Sequence, residues 1–133
     1  MDLSEIYTRF PTEADCIKFL EKIRWKGDPV CPYCEVSYFT ALQNENRYHC
    51  NNCNTSFSVT TRTIFHRSHL PSQKWFYSIY IIVNSHKRIS VRELAKEIKV
   101  NKDTACLVIQ KIRQGMFNDK ALLFKIAEIN EIR

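Results

Sequence analysis

The sequence predicts a small α+β chain on three observations. Two Cys-x2-Cys pairs stand 15 residues apart, short β-rich runs lie between and after them, and helical apolar stripes follow Pro71. Taken in chain order, these give a four-Cys zinc ribbon of short antiparallel strands, preceded by a helix and followed by a three-helix helix-turn-helix module. The expected boundaries are 1–28 for an N-terminal helix packing on the ribbon, 29–65 for the ribbon, 66–117 for the helical module and 118–133 for a tail.

The first helix is expected at about 12–25. Thr12 precedes Glu13-Ala14-Asp15, an N-cap followed by acids in the first turn. Ala14, Ile17, Leu20 and Ile23 follow helical spacing, with Cys16 and Phe19 beside them. Lys22, Arg24 and Lys26 suit the carboxyl end, and Gly27 suits the stop.

Cys31, Cys34, Cys50 and Cys53 carry the metal expectation. Zn²⁺ takes four thiolates in a tetrahedron at about 2.3 Å. A two-residue gap lets one tight turn present two sulfurs to a single ion. Pro32 stiffens the first turn, and Asn51-Asn52 tolerates unusual backbone angles in the second. Val36–Leu42 and Arg47–Cys50 read as strands joined by a turn at Gln43-Asn44-Glu45-Asn46, and Thr55–Thr60 alternates as a third strand. Two disulfides are the rival reading and an iron–sulfur cluster a weaker one; the spacing and the reducing environment of a chain with no signal peptide favour zinc. Four ligands close the site, so the expectation is one structural Zn²⁺ that supplies folding energy of order 10 kcal/mol or more to a segment with few apolar residues. His49 is expected as a strand residue. Cys16 and Cys106 are expected to pack as small apolar side chains.

Pro71 suits the first turn of a helix over 72–85, striped by Trp75, Phe76, Ile79, Ile82 and Val83. Ser90-x-x-Glu93 is a capping box opening a helix at about 90–98. Asn101 caps a third helix at about 102–116, with Ala105, Val108, Ile109 and Ile112 inward. Ala95 lets the last two helices approach, and Ile98 and Val100 plug the core beneath the turn. Lys99 stands where helix-turn-helix units often carry Gly, so the turn either accepts Lys in a strained conformation or takes a variant form. A plain three-helix bundle with no ligand fits the same pattern. The tail, with Leu122, Phe124, Ile126, Ile129 and Ile132, fits a strand or a helix equally well.

The net charge of +6 is unevenly placed: residues 1–30 and 31–60 each carry −1, 61–100 carry +6 and 101–133 carry +2. Such a segment suggests a polyanionic partner, nucleic acid before membrane. The longest apolar run, Ile79–Val83, is far short of a membrane span, and only 2 Gly disfavour phosphate-binding loops. Cytoplasmic, nucleoid-associated placement is expected. Candidate contacts to double-stranded DNA are Arg62 and Arg67 after the ribbon, and Lys87, Arg88 and Arg92 around the second helix of the unit. On the third helix they are Asn101, Lys102, Thr104, Gln110 and Lys111. Arginines meet phosphates, Asn and Gln pair with adenine, and Lys reaches guanine. A solvated basic surface accounts for the same charges, and Thr104 for a cap partner. His66-x-x-His69 is a further metal pair only in name, with no carboxylate or thiol near it in sequence.

Phe10-Pro11, Cys16, Arg24-Trp25, Cys31-Pro32-Tyr33-Cys34, Tyr48-His49-Cys50-Asn51-Asn52-Cys53, Phe57-Ser58-Val59-Thr60, Thr63-Ile64-Phe65-His66, Trp75-Phe76, Ser90, Leu94-Ala95, Lys102-Asp103-Thr104-Ala105 and Ile112-Arg113 together resemble the N-terminal region of bacterial insertion-sequence transposases of the zinc-ribbon type (the ISXO-like group). The resemblance covers about residues 9–115. It implies recognition of a mobile element's terminal inverted repeats, with a second copy or a full-length transposase as protein partner and no membrane. The alternative is a zinc-ribbon protein-interaction or transcription-regulator module. Two positions depart from the family: Arg62 stands where it usually has Gly, and Cys106 where it often has Trp. The family's nuclease core has an RNase H-like fold of order 100 residues. Only Asp119, Glu128 and Glu131 supply carboxylates after the third helix, so the expectation is a non-enzymatic chain.

Overall fold

Local capping accounts for most of the helix starts. In the computed structural model, which describes residues 2–26, 28–42, 46–66, 68–85 and 88–128, the elements are α1 (Leu3–Arg9), α2 (Glu13–Trp25), β1 (Phe39–Leu42), β2 (Arg47–Cys50), β3 (Ser56–Phe57), α3 (Ser72–Asn84), α4 (Val91–Ile98), α5 (Lys102–Asn118) and α6 (Lys120–Ala127). Asp2, Thr12, Ser90 and Asn101 each accept, through a side-chain oxygen, a backbone N–H three residues on. At α2 the box is reciprocal, because the Asp15 carboxylate also accepts from Thr12 N–H at 3.2 Å. The described fold is a small α+β arrangement of three antiparallel strands and six helices.

The chain divides into two compact units, Thr12–Ser68 and Met1–Pro11 with His69–Arg133. Residues before Pro11 thus belong to one unit and α2 to the other.

In the Thr12–Ser68 unit the sheet order is β1-β2-β3, with Phe39 opposite Cys50 and Tyr48 opposite Phe57. One face carries an aromatic cluster: Trp25 of α2 meets Tyr48 and Phe57 edge-on at 5.7 Å each, and Tyr48 stacks on Phe57 at 5.6 Å. The Tyr48 hydroxyl donates to the Glu21 carboxylate, and Arg24 Nη1 donates to the carbonyls of Val59 and Thr61, tying the carboxyl-terminal part of α2 to β2 and to the segment after β3. Burial, with Glu21 beside it, pushes the Tyr48 phenol up to about 12. Cys16, Phe19 and Leu20 complete the buried face of α2, whereas Ala14 is exposed. Burial likewise pushes the Cys16 thiol up to about 12, consistent with an inert apolar packing residue.

The strands are shorter than the sequence suggests. β1 begins at Phe39 rather than Val36, because the Val36 carbonyl accepts from Cys31 N–H within the first cysteine turn; the Asn51 N–H to Tyr38 carbonyl bond continues the β1–β2 register by one pair. β3 ends at Phe57 rather than Thr60. There the Thr61 hydroxyl captures Ser58 N–H at 2.9 Å and turns the chain. The turn expected at 43–46 lies outside the described residues except for Asn46.

In the second unit α3 is the central element, packed against α1, α4, α5 and α6. Trp75, Phe76 and Ile79 are buried, while Ile82 and Val83 of the expected stripe are half-exposed. Gln73 Nε2 donates to the Phe10 carbonyl at 2.8 Å, and Phe10 meets Phe76 edge-on at 5.4 Å, which docks α1 on α3. Asn84 Nδ2 donates to the Ala127 carbonyl at 3.0 Å, fixing α6 beside the end of α3. The tail is therefore helical over Lys120–Ala127, with Leu122, Leu123 and Ile126 buried; its residues past 128 lie outside the described set. Leu94 and Ile98 of α4 meet Ala105, Val108, Ile109 and Ile112 of α5 in the same core.

Lys99 joins α4 to α5 in the left-handed region, at φ 56° and ψ 52°. The turn takes the strained form, at a cost of about 1–2 kcal/mol for a residue with a Cβ. Lys99→Gly is expected to raise the unfolding free energy by about 0.5–1 kcal/mol, read as a higher urea midpoint at unchanged m-value. Ile112→Ala is expected to lower it by about 2–5 kcal/mol on the same measurement.

Candidate metal centre and nucleic-acid surface

Each cysteine pair is presented by the same backbone device. In the first, Glu35 N–H donates to the Cys31 carbonyl at 2.9 Å and Cys31 N–H to the Val36 carbonyl at 3.2 Å. In the second, Asn54 N–H donates to the Cys50 carbonyl at 2.9 Å and Cys50 N–H to the Thr55 carbonyl at 2.9 Å. The residue after each pair, Glu35 or Asn54, turns left-handed at φ 61° or 58°. The unusual angles thus sit one residue past the pairs and not at Asn51-Asn52.

The four sulfurs converge. All four Sγ atoms lie within 4.8 Å of one another, with Cys31 to Cys53 at 3.7 Å and Cys34 to Cys50 at 3.5 Å. A tetrahedron with Zn–S near 2.3 Å has edges of about 3.8 Å, so the donor set fits Zn²⁺. A disulfide sulfur pair stands at about 2.05 Å, which these spacings do not approach.

Surrounding donors favour thiolates. The Asn52 side chain and the Val36 N–H hold the Cys34 thiol well below its ordinary range, at about 6. The Thr55 hydroxyl lowers Cys53. Burial pushes Cys31 up to about 11 against the N–H groups of Cys34 and Tyr33 that oppose it. This is the only cluster of three or more metal-capable side chains among the described residues. His49 stays a strand residue of β2, and His66 Nδ1 accepts Arg62 N–H at 2.7 Å, outside any metal set.

Residues 11–56 match the family described as transposase zinc-ribbon domain. Residues 11–56 are a transposase zinc ribbon. Its cysteines hold a structural zinc ion, a closed four-thiolate site. Over 125 residues the chain is 28% identical to a protein named as an uncharacterised protein in transposable element ISH50 of Halobacterium salinarum. The alignment takes in 92% of this chain and 42% of that protein, so the chain spans about two-fifths of its curated relative's length. No solved structure matches. The chain is transposase-related. No helix among the described residues is long and apolar enough to cross a membrane.

The expected DNA-contact residues fall in two places. Arg62 follows the transposase zinc ribbon and sits left-handed at φ 61°. Its guanidinium lies 5.6 Å from the centre of the Tyr33 ring. Arg67 and Lys87 lie outside the described residues. In the helical unit, Arg92 is exposed in the first turn of α4, and Lys102 is exposed at the start of α5. Asn101 Oδ1 accepts Thr104 N–H at 2.8 Å, so Asn101 acts as the cap and Thr104, half-buried, as its partner. Lys111 is half-buried. Arg88 and Gln110 line one hollow of about 400 Å³ with Ser90, Cys106 and Arg113. Arg113 was not among the expected contacts; its spacing of three from Gln110 and seven from Cys106 puts it on their helical face. Gln110 Nε2 lies 3.7 Å from the Cys106 sulfur in this hollow.

Metal analysis is expected to find one zinc per chain. Chelation is expected to abolish hydrogen-exchange protection across β1 and β2. Protection that survives in metal-free protein would show that zinc does not hold the fold.

Proposed function

We propose that this chain is the end-recognition part of a transposase system and binds double-stranded DNA at a mobile element's terminal inverted repeats. One observation carries the reading: α4, the left-handed turn at Lys99 and α5 form a close helix pair whose α5 amino terminus, Lys102 and Asp103, stays exposed. This supports a helix-turn-helix reading, in which the first turn of the second helix meets base edges in the major groove. Arg92 at the front of α4 and the pair Arg88–Arg113 at the hollow then stand where backbone phosphates pass. The transposase zinc ribbon in the same chain and the +6 charge of residues 61–100 support DNA over a protein partner. Asn101 contributes by fixing the α5 start and not by pairing with a base through its Oδ1. Two copies, one at each end of the element, are the expected assembly on DNA.

The test is a gel shift of the zinc-loaded chain on duplexes taken from the inverted repeats flanking its gene. Binding is expected to weaken with salt at a slope of about −0.9 per phosphate neutralised, and Lys102→Ala is expected to lower affinity by about 1–3 kcal/mol. A slope near zero would point to a protein-interaction module. Unchanged affinity in a folded Lys102→Ala variant would remove α5 from the groove.

A further inference from the structure

The face of the ribbon away from Trp25 is polar and concave. Along β2, Arg47 and His49 alternate with Tyr48 and Cys50, and Ser56 of β3 lies opposite His49. Tyr48 and Phe57 point to the aromatic cluster, so Arg47 and Ser56 point the other way. Beyond β3 the chain turns under this face and adds the hydroxyls of Ser58, Thr60 and Thr61. Ser58 Oγ lies 3.0 Å from Thr60 Oγ1 and 3.3 Å from Thr61 Oγ1, a linked floor whose Ser58 and Thr61 are buried. His66 closes the side. Its Nδ1 accepts Arg62 N–H, which leaves Nε2 as the protonated donor of the neutral ring. Together with Tyr33 these residues line a cavity of about 370 Å³, and none of them is acidic.

We propose that this cavity is an oxyanion site for a phosphoryl group. Arginine supplies two parallel N–H donors that match two phosphate oxygens. The hydroxyls and His66 Nε2 supply neutral donors around the remaining oxygens. Arg62, with its Nη1 3.5 Å from the Pro32 carbonyl, places a second cation against the ring of Tyr33, a lining residue. Arg47 also stands out from its surroundings in sequence: residues 31–60 carry −1, with Arg47 their one Lys or Arg, before the four thiolates and zinc subtract further charge. In the DNA-bound protein the occupant is a backbone phosphodiester, so the ribbon grips the duplex apart from α5. That second statement rests on the end-recognition reading, and the first does not.

Two measurements on the zinc-loaded full chain separate them. In the first, inorganic phosphate is titrated into isotope-labelled protein. Saturable shifts at the Ser56–Thr61 amides and the His66 ring are expected, and they are expected to vanish in Arg47→Gln, an exposed position whose loss leaves zinc content unchanged. Absence of these shifts in the wild-type chain overturns the oxyanion site. In the second, inverted-repeat duplex is bound across a salt series. Arg47→Gln is expected to weaken binding about 3- to 10-fold and to reduce the salt slope by about one phosphate. Wild-type binding with an unchanged Arg47→Gln affinity and slope overturns the phosphodiester assignment while leaving end recognition standing. A wild-type chain that takes phosphate but ignores duplex overturns end recognition and the phosphodiester assignment, and supports a site for a free phosphate-bearing ligand.

Discussion

Four sulfurs held within 4.8 Å of one another are the constraint on which the ribbon unit depends. Strands of four, four and two residues are too short to stand alone in water, and the sheet they form has only one apolar face. Two identical backbone hooks deliver the cysteines, and each hook obliges a non-glycine residue to turn left-handed. Those turns cost free energy that the metal–thiolate bonds offset. The aromatic cluster of Trp25, Tyr48 and Phe57 completes the unit by closing the apolar face of the sheet.

Glycine scarcity shapes the rest. With only 2 Gly in 133 residues, the chain places Lys26, Glu35, Asn46, Asn54, Arg62 and Lys99 at positive φ among the described residues. At two of these positions the residue is a cation at a turn. Lys99 keeps a cation at the turn ahead of α5, and Arg62 puts one over Tyr33 beside the polar cavity. Strain accepted at a turn therefore coincides with charge presented at a surface, a combination that suits a partner carrying phosphates.

The two units use their polarity differently. In the ribbon unit one face of the sheet is consumed by α2, which leaves hydroxyls and Arg47 on the other. In the helical unit α3 absorbs the apolar stripes of its neighbours, and α4 and α5 keep their polar faces outward. The transposase zinc ribbon has a closed metal site, so its ion shapes a surface and leaves no open coordination position for chemistry.

Short-range rules were legible in the residues themselves. The cysteine spacing named the ligands, and the caps at Thr12, Ser90 and Asn101 fixed helix starts because a cap acts across three residues. Lys99 is legible as the turn's difficult residue, since only backbone geometry decides that penalty. Other features needed partners distant in the chain. Helix α1 has a single buried side chain, Ile6, and shows its place only through Gln73 and Phe76. The tail suited strand and helix alike until Asn84 and α3 gave it a face to bury. β3 stops early because the Thr61 hydroxyl outcompetes the sheet for a backbone donor. Arg47, three hydroxyls and His66 lie up to 19 residues apart, and pairing of β2 with β3 followed by the turn at Ser58 brings them round one cavity. The sequence by itself determined which atoms bind the metal and where most helices begin, because those interactions close within one turn of chain. The tertiary structure decided which surfaces remain open, because burial is settled by what packs on each face and no local pattern encodes that.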